Sequence, residues 1–164
     1  MQRRRLLFLA SVVLSAAALS GYRFTPPEPL HPLTGTTSGT AIIDSATGTG
    51  TSDGPFALTV LGKGTLHNAF TSSTQTGNTI TLTGTAIWST RAESHKVFTT
   101  FTTTVTVTST GFVATTVNTI TGGTGRFADA SGTMTVTGSG VTVSTVGSIT
   151  TSTFTSTVQG QISF

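Results

Sequence analysis

The stretch that decides the fold is VFTTFTTTVTV, residues 97–107. Val97, Phe101 and Val105 fall on one face of an extended chain, and four threonines fall on the other. Successive side chains of a β-strand point to opposite faces, so this alternation predicts a half-buried strand. Thr is branched at Cβ and fits a strand better than a helix, which strengthens the prediction.

The same alternation recurs on both sides of this stretch. Strands with one apolar face and one hydroxyl face are predicted at residues 56–66, 79–88, 133–137 and 153–164. Polar clusters that contain glycine separate these runs and predict hairpin turns, at residues 48–54, 72–78, 109–111, 122–125 and 138–140. The spacing predicts about seven to nine antiparallel strands.

Three glycines stand within or at the ends of the predicted strands, on their apolar faces: Gly84, Gly138 and Gly160. A residue without a side chain lets a sheet bend sharply, as it must at the corners of a barrel. These positions favour a closed structure over two flat packed sheets. The sequence therefore predicts an all-β fold, a single antiparallel β-barrel of about eight strands.

The apolar faces give the positions that are expected to point into the barrel, which are Ile80, Leu82, Ala86, Trp88, Phe101, Val105, Met134, Val136, Phe154 and Val158. None of these residues is an acid or a base. A small eight-stranded barrel is either just filled by its own side chains or holds one small ligand. The residues expected to line such a pocket are Trp88, Phe101, Met134 and Phe154.

The first 20 residues have the pattern of a signal peptide, in which Arg3, Arg4 and Arg5 precede an apolar run that ends at the small residues Ala18 and Ser20. We therefore expect an exported protein, periplasmic or extracellular, with no membrane-spanning segment once the leader is removed. The choice between the general secretory and the twin-arginine route stays open. Residues 21–34 hold four prolines and predict an extended spacer, so the barrel domain is expected at residues 35–164.

The net charge of the expected mature chain is close to zero. Three of the eight Lys and Arg residues lie in the leader, which leaves five bases against five Asp and Glu residues. No basic stripe remains to neutralise a run of phosphates, which argues against nucleic acid as a partner. The chain contains no Cys, so disulfide bonds and Cys-linked lipid anchors are excluded.

One motif is more specific than the strand pattern: ITGGTGRFADASG, residues 120–132. It predicts a turn between two strands, because backbone angles that are closed to other residues are open to Gly122, Gly123 and Gly125. We expect Phe127 to pack back onto the core, and Arg126 and Asp129 to pair across the turn. A phosphate-binding loop would have to open a helix, whereas a strand is predicted after this motif.

The motif resembles the Gly-Gly-Thr-Gly-x-Phe sequence of the dirigent and allene oxide cyclase superfamily. DGPF at residues 53–56 and LGKG at residues 61–64 are also similar to an early segment of that superfamily, so the resemblance extends over residues 53–164. Within the superfamily, the motif looks most like that of small secreted bacterial proteins of unknown function. The resemblance implies an eight-stranded antiparallel barrel whose apolar cavity holds one conformation of an apolar, reactive intermediate.

Few residues of the chain could perform acid–base chemistry. The loop of residues 91–96 is expected at one mouth of the barrel, where Glu93 and His95 could meet His67 and Arg126. Such a cluster would serve a cyclase or isomerase that acts on an apolar intermediate in the barrel. The alternative is that these side chains, like His31 in the spacer, are simply solvated. No metal site and no cofactor are predicted, because Glu-x-His in a loop does not match the ligand spacing of a zinc site.

The lack of acids and bases at the interior positions favours a binding protein over an enzyme. We expect non-catalytic binding of an apolar small molecule or of a cell-surface partner, with a cyclase or isomerase as the alternative. A third hypothesis is a threonine surface of the ice-binding type, made by Thr81, Thr83, Thr85, Thr102, Thr104, Thr106, Thr133, Thr135 and Thr137. The twist between neighbouring strands, about 20–25°, argues against so flat an array. The sequence leaves the formation of a homo-oligomer open.

Overall fold

The structure, a computed structural model, describes residues 28–164 and consists of eight β-strands with one turn of 3₁₀ helix. The strands are β1 (His31–Asp44), β2 (Thr49–Leu58), β3 (Gly62–Thr76), β4 (Thr79–Thr90), β5 (Lys96–Thr108), β6 (Gly111–Thr124), β7 (Ser131–Val146) and β8 (Ile149–Ser163). The predicted signal peptide and residues 21–27 of the predicted spacer lie outside the described residues. Within residues 28–164, no helix is long and apolar enough to cross a membrane.

The eight strands form a closed antiparallel barrel. Each strand pairs with the next one along the chain, and β8 pairs with β1 to complete the ring. Closure satisfies the hydrogen-bonding groups that an open sheet would leave exposed at its two edges. The predicted fold class, an all-β antiparallel barrel of eight strands, is confirmed.

The first strand begins earlier than the sequence predicts. β1 starts at His31 rather than at residue 35, and Leu33 is fully buried. Pro32 pairs with Gln161 of β8 but faces no residue of β2, because pairing between β1 and β2 begins only at Gly35. A proline is tolerated at such a strand edge, where the ladder needs no N–H group. The barrel therefore includes the end of the segment that was expected to be a spacer.

The predicted turn at residues 138–140 is wrong, and the predicted turns at residues 48–54 and 72–78 are right only at residue 48 and at residues 77–78. The clusters at residues 48–54, 72–78 and 138–140 lie mostly within β2, β3 and β7, and the predicted strand at residues 56–66 is interrupted by a turn. A Cβ on Gly54 or Gly138 would collide with the backbone of the neighbouring strand. These glycines therefore allow close strand packing and do not form turns. The turns lie at residues 45–48, 59–61, 77–78, 91–95, 109–110 and 147–148, with a longer connection at 125–130.

The two ends of the barrel differ. We call one end the open end, which carries the four short turns at residues 45–48, 77–78, 109–110 and 147–148. The closed end carries the turns at residues 59–61 and 91–95 and the connection at residues 125–130. The start of β1 and the end of β8 also lie at the closed end, since His31 pairs with Ile162.

The hydrophobic core fills the closed half of the barrel. Inward-facing side chains of the strands meet side chains from the turns, and the buried cluster comprises Leu33, Phe56, Leu58, Leu61, Leu66, Ala86, Trp88, Val97, Phe101, Ile120, Phe127, Ala130, Met134, Val158 and Ile162. Leu61, Phe127 and Ala130 belong to the closed-end connections rather than to strands. These three residues cover the core from the end of the barrel.

The glycine-rich motif connects β6 to β7 at this end, as predicted. β6 ends at Thr124, and residues 125–127 form the 3₁₀ turn. Phe127 is fully buried, and its ring lies edge-on to Phe164 with centroids 4.9 Å apart. Gly125 has a φ of 60°, and a Cβ there would run into the ring of His95. The motif thus anchors the connection at residues 125–130, which covers the closed end, to the core.

The predicted pair between Arg126 and Asp129 is wrong. Arg126 Nη2 donates a hydrogen bond of 2.8 Å to the carbonyl oxygen of Val60, and the guanidinium lies 4.6 Å from the centre of the Phe127 ring. A planar guanidinium gains from stacking on an aromatic face as well as from hydrogen bonding. Arg126 therefore ties the connection at residues 125–130 to the turn at residues 59–61.

We expect Phe127→Ala to lower the free energy of unfolding by about 3–5 kcal/mol, because it removes a fully buried ring and leaves a cavity. Gly125→Ala is expected to lower it by about 1 kcal/mol or more, because the new Cβ is strained and meets His95. Urea denaturation measures both. Phe112→Ala, at a half-buried position of the open half, is the control and should cost less than Phe127→Ala. Unchanged unfolding of both closed-end variants would show that the motif does not anchor the core.

Candidate functional site

A cavity of about 440 Å³ occupies the open half of the barrel. All eight strands contribute inward-facing side chains to its wall. The volume falls within the range of about 300–1,000 Å³ that is usual for small-molecule pockets. The barrel is therefore filled at its closed end and hollow at its open end.

The cavity exists because several inward-facing side chains of the open half are short. Ala41, Ser52, Ala114, Gly138 and Ser156 stand at positions where the closed half has Leu, Phe, Trp or Met. Larger apolar residues complete the wall, and they are Ile43, Leu66, Phe70, Ile80, Leu82, Trp88, Phe101, Val105, Val107, Phe112, Val136 and Phe154. The rings of Phe70 and Phe101 pack edge to face with centroids 5.6 Å apart. The wall is thus largely apolar, as a pocket for an apolar molecule requires.

Several polar side chains on the cavity wall are hydrogen-bonded within the protein. Asn68 Nδ2 donates to Ser52 Oγ at 2.6 Å, and the hydroxyls of Thr103 and Thr116 lie 2.8 Å apart. Thr37 donates instead to the carbonyl oxygen of Pro55 at 3.0 Å. Buried polar groups are normally satisfied in this way, because an unpaired one costs free energy.

Two nitrogens on the cavity wall lack such partners. Trp88 and Asn118 are 1% and 2% exposed, and neither Trp88 Nε1 nor Asn118 Nδ2 has a hydrogen-bond partner among the described residues. The Trp88 ring packs against Phe56 with centroids 5.4 Å apart, so it marks the boundary between the core and the cavity. Within the part of the chain that the structure describes, no Lys, Arg, His, Asp or Glu lines this cavity. The boundary therefore offers neutral donors and no ionic partner.

Three of the four predicted pocket residues line the cavity. Trp88, Phe101 and Phe154 belong to its wall, whereas Met134 is 1% exposed and lies in the core. Asn118 was not predicted as a pocket residue, because β6 was not predicted as a strand. Its two faces are similar in polarity, with Val117 outside and Asn118 inside. The inward positions of Phe112 and Ile120, an even number of residues away, are the signal that could have placed Asn118 inside.

His95 and Arg126 lie together at the closed end, away from the cavity. The backbone N–H of Arg126 donates to His95 Nδ1 at 3.3 Å, and the His95 ring stands edge-on to Phe127. The buried core separates both residues from the open half. The expected mouth of the barrel at residues 91–96 is therefore covered rather than open, and His95 helps to hold the cover.

His67 and Glu93 lie on the outer surface. His67 Nδ1 is 2.5 Å from Asp53 Oδ1 across the β2–β3 pair, and both side chains are more than half exposed. Glu93 lines a surface groove at the closed end together with Lys63, Arg91 and Lys96. Neither His67 nor Glu93 lines the cavity. The four residues proposed for acid–base chemistry thus occupy three separate places. Across residues 28–164, no three His, Asp or Glu residues are placed to hold a metal ion.

Threonines cover the outer face of the barrel. Thr85 and the threonines at 102, 104, 106, 133, 135 and 137 are exposed, whereas Thr81 and Thr83 are half-buried. β6 separates the β5 threonines from the β7 threonines and exposes Val113 and Val117 between them. Because the strands follow a closed, twisted surface, the threonines wrap around the barrel. They do not form the flat array that lattice matching needs.

The rim of the open end is held by Asp44. Its carboxylate interacts with the hydroxyl of Ser148 and accepts a hydrogen bond of 2.9 Å from the N–H of Ala46. The Ser148 hydroxyl, followed by the Ala46 N–H, lowers the pKa of Asp44 from its ordinary value of 3.8. Ser45 adds two hydrogen bonds to the Ser148 carbonyl oxygen, which join the turn at residues 45–48 to the turn at 147–148.

We expect an NMR titration to give Asp44 a pKa below 3.8, and Ser148→Ala to raise it. Because folding lowers the pKa of Asp44, its ionised carboxylate stabilises the folded state at pH values above the ordinary pKa. This stabilisation is lost as the pH falls through the lowered pKa. Ser45→Ala is the matched control, because its hydroxyl bonds to the Ser148 carbonyl and not to the carboxylate. A pKa of Asp44 that does not respond to Ser148→Ala would contradict this account of the rim.

Comparisons with protein-family models, with curated proteins and with solved structures gave no match. Of the features that the resemblance to the superfamily implies, the structure shows the closed eight-stranded antiparallel barrel.

Proposed function

We propose that this chain is an exported barrel protein that binds a small apolar molecule in its open half without transforming it. The observation that carries the proposal is the cavity of about 440 Å³, with its largely apolar and uncharged wall. A ligand that leaves water for such a wall gains about 0.8 kcal/mol for each methylene buried. The ligand would enter the cavity through the open end, which carries only short turns.

The position of the acids and bases supports binding rather than catalysis. General acid–base catalysis needs a group within hydrogen-bond reach of the reacting atom. Glu93, His95 and Arg126 lie at the closed end, and His67 lies on the outer face of β3. A cyclase or isomerase that used these residues would have to bind its substrate outside the cavity.

Membership of the dirigent and allene oxide cyclase superfamily is part of the same proposal. It is supported by the motif at residues 120–132, which connects β6 to β7 and anchors the closed end through Phe127. A barrel of this kind would give the ligand one rigid surface on all sides. Binding would then select one folded conformation of a flexible apolar molecule, as the resemblance implies.

A second candidate function is docking to an acidic cell-surface partner. The groove that contains Glu93 gathers Lys63, Arg91 and Lys96, and none of these bases forms an ion pair within the described residues. Unpaired bases around one groove can attract a partner that carries carboxylates or phosphates. Charge reversal at Lys63 and Arg91 would abolish such docking and leave binding in the cavity unchanged.

We expect N-phenylnaphthylamine, a neutral apolar fluorophore, to bind in the cavity and to accept energy from Trp88, the only Trp of the chain. Ala114→Phe fills part of the cavity and should weaken binding about tenfold or more, whereas Thr115→Phe changes an exposed position of the same strand and should not. Fluorescence titration measures both dissociation constants. Equal binding by the two variants would place the fluorophore outside the barrel and reject the proposal.

A further inference from the structure

The cavity wall contains two buried N–H groups that no part of the described structure uses. Trp88 Nε1 and Asn118 Nδ2 are each buried without a partner, and both residues line the cavity. A third unpartnered atom, Thr90 Oγ1, belongs to a residue that does not line this cavity. Most buried N–H donors in proteins have a hydrogen-bond partner, so two unpartnered donors in residues of one cavity wall need an explanation.

The orientation of Asn118 leaves its donor rather than its acceptor unused. The Thr99 hydroxyl donates to Asn118 Oδ1 at 3.0 Å, which engages the carbonyl end of the side-chain amide. Both residues are 2% exposed, so this hydrogen bond is enclosed by protein. A hydroxyl that donates to the amide oxygen holds the NH₂ group in the opposite position. The amide therefore has spare N–H groups at the inner part of the cavity.

No hydroxyl of the described residues supplies the missing acceptor. Ser52 is engaged by Asn68, and Thr103 by Thr116. Neither Trp88 Nε1 nor Asn118 Nδ2 exposes appreciable surface, so solvent entering from the open end does not reach them in this conformation. For a ligand oxygen to reach these two donors, the Asn118 amide and the Trp88 ring must therefore turn toward the inner cavity.

The charge of the cavity limits the chemistry of that oxygen. A buried carboxylate or phosphate without a cationic partner costs far more free energy than a neutral polar group. Among residues 28–164, no Lys, Arg or His lines the cavity, and Lys63, Arg91 and Lys96 line the outer groove at the closed end instead. A neutral oxygen atom therefore fits these two neutral N–H donors. A carbonyl oxygen suits them well, because it accepts hydrogen bonds and carries no donor of its own.

We propose that the ligand is a neutral lipophile with a carbonyl oxygen at one end, and that it binds with this oxygen innermost, on Trp88 Nε1 and Asn118 Nδ2. This inference rests on the proposed function, because it specifies the ligand of the same cavity. The hydrocarbon part then extends past Val105 and Phe154 toward Phe112 and the open end. The two N–H donors select the ligand class, and the apolar wall provides most of the affinity.

The test compares methyl octyl ketone with the hydrocarbon of the same shape in which a methylidene group replaces the carbonyl oxygen. Both compete with N-phenylnaphthylamine, excited directly, on the full barrel. The measured quantity is the ratio of the two dissociation constants, so that differences in general hydrophobicity cancel between protein variants. Decanoate, of similar length, reports on a charged head group.

Two variants remove the proposed donors. Trp88→Phe removes the indole N–H, and the double variant Thr99→Val with Asn118→Leu removes the amide together with the hydroxyl that bonds to it, so no orphaned partner remains. The control is Thr100→Val with Thr119→Val, at exposed positions that face each other on the outer surface of β5 and β6. We expect the preference for the ketone to fall about fivefold in each donor variant and to stay unchanged in the control.

The indole N–H of Trp88 gives an independent readout, since a chain with one Trp has one indole resonance. We expect it to move downfield with the ketone and not with the hydrocarbon. If both compounds bind but the ratio does not change in the donor variants, the inference is wrong and the proposed function stands. Tighter binding of decanoate than of the ketone also overturns the inference. If neither compound binds the unmodified barrel, the proposed function fails with it.

Discussion

The structure depends on the pairing of β1 with β8, which extends from His31 with Ile162 to Asp44 with Ile149. The chain has no Cys, so no disulfide bond can hold the ends of the sheet together. Closure removes both sheet edges and gives every strand one inner and one outer face. The threonines can then cover the outside, where their hydroxyls meet water, while the apolar residues are divided between a core and a cavity wall.

The sizes of the inward side chains decide how the barrel divides along its axis. Trp88, Phe127 and Met134 fill the closed half, and the cover formed by residues 125–130 seals it. In the open half, short residues such as Ala114 and Gly138 leave room that the remaining aromatic rings do not fill. One fold thus combines a packed closed half with a pocket in the open half, and the packed half holds the wall of the pocket in place.

Much of this arrangement could be predicted from strand alternation, because in β4, β5 and β8 one face is clearly more apolar than the other. That contrast placed Trp88, Phe101 and Phe154 inside. β6 has no such contrast, since Val117 points outward and Asn118 inward, and its polar cavity residue was missed. The closed end could not be recognised either, because the positions of His95 and Arg126 depend on contacts between turns that are distant in the sequence.

The central claim, that the open half of the barrel holds an apolar ligand, is tested most directly by NMR on methyl-labelled protein with bound methyl octyl ketone. Val105 and Val136 line the cavity, whereas Val113 and Val117 are about half exposed on the outer face. The account predicts intermolecular NOEs from the ketone chain to the methyl groups of Val105 and Val136 and none to the outer pair. NOEs to Val113 and Val117, with none to Val105 and Val136, would contradict it.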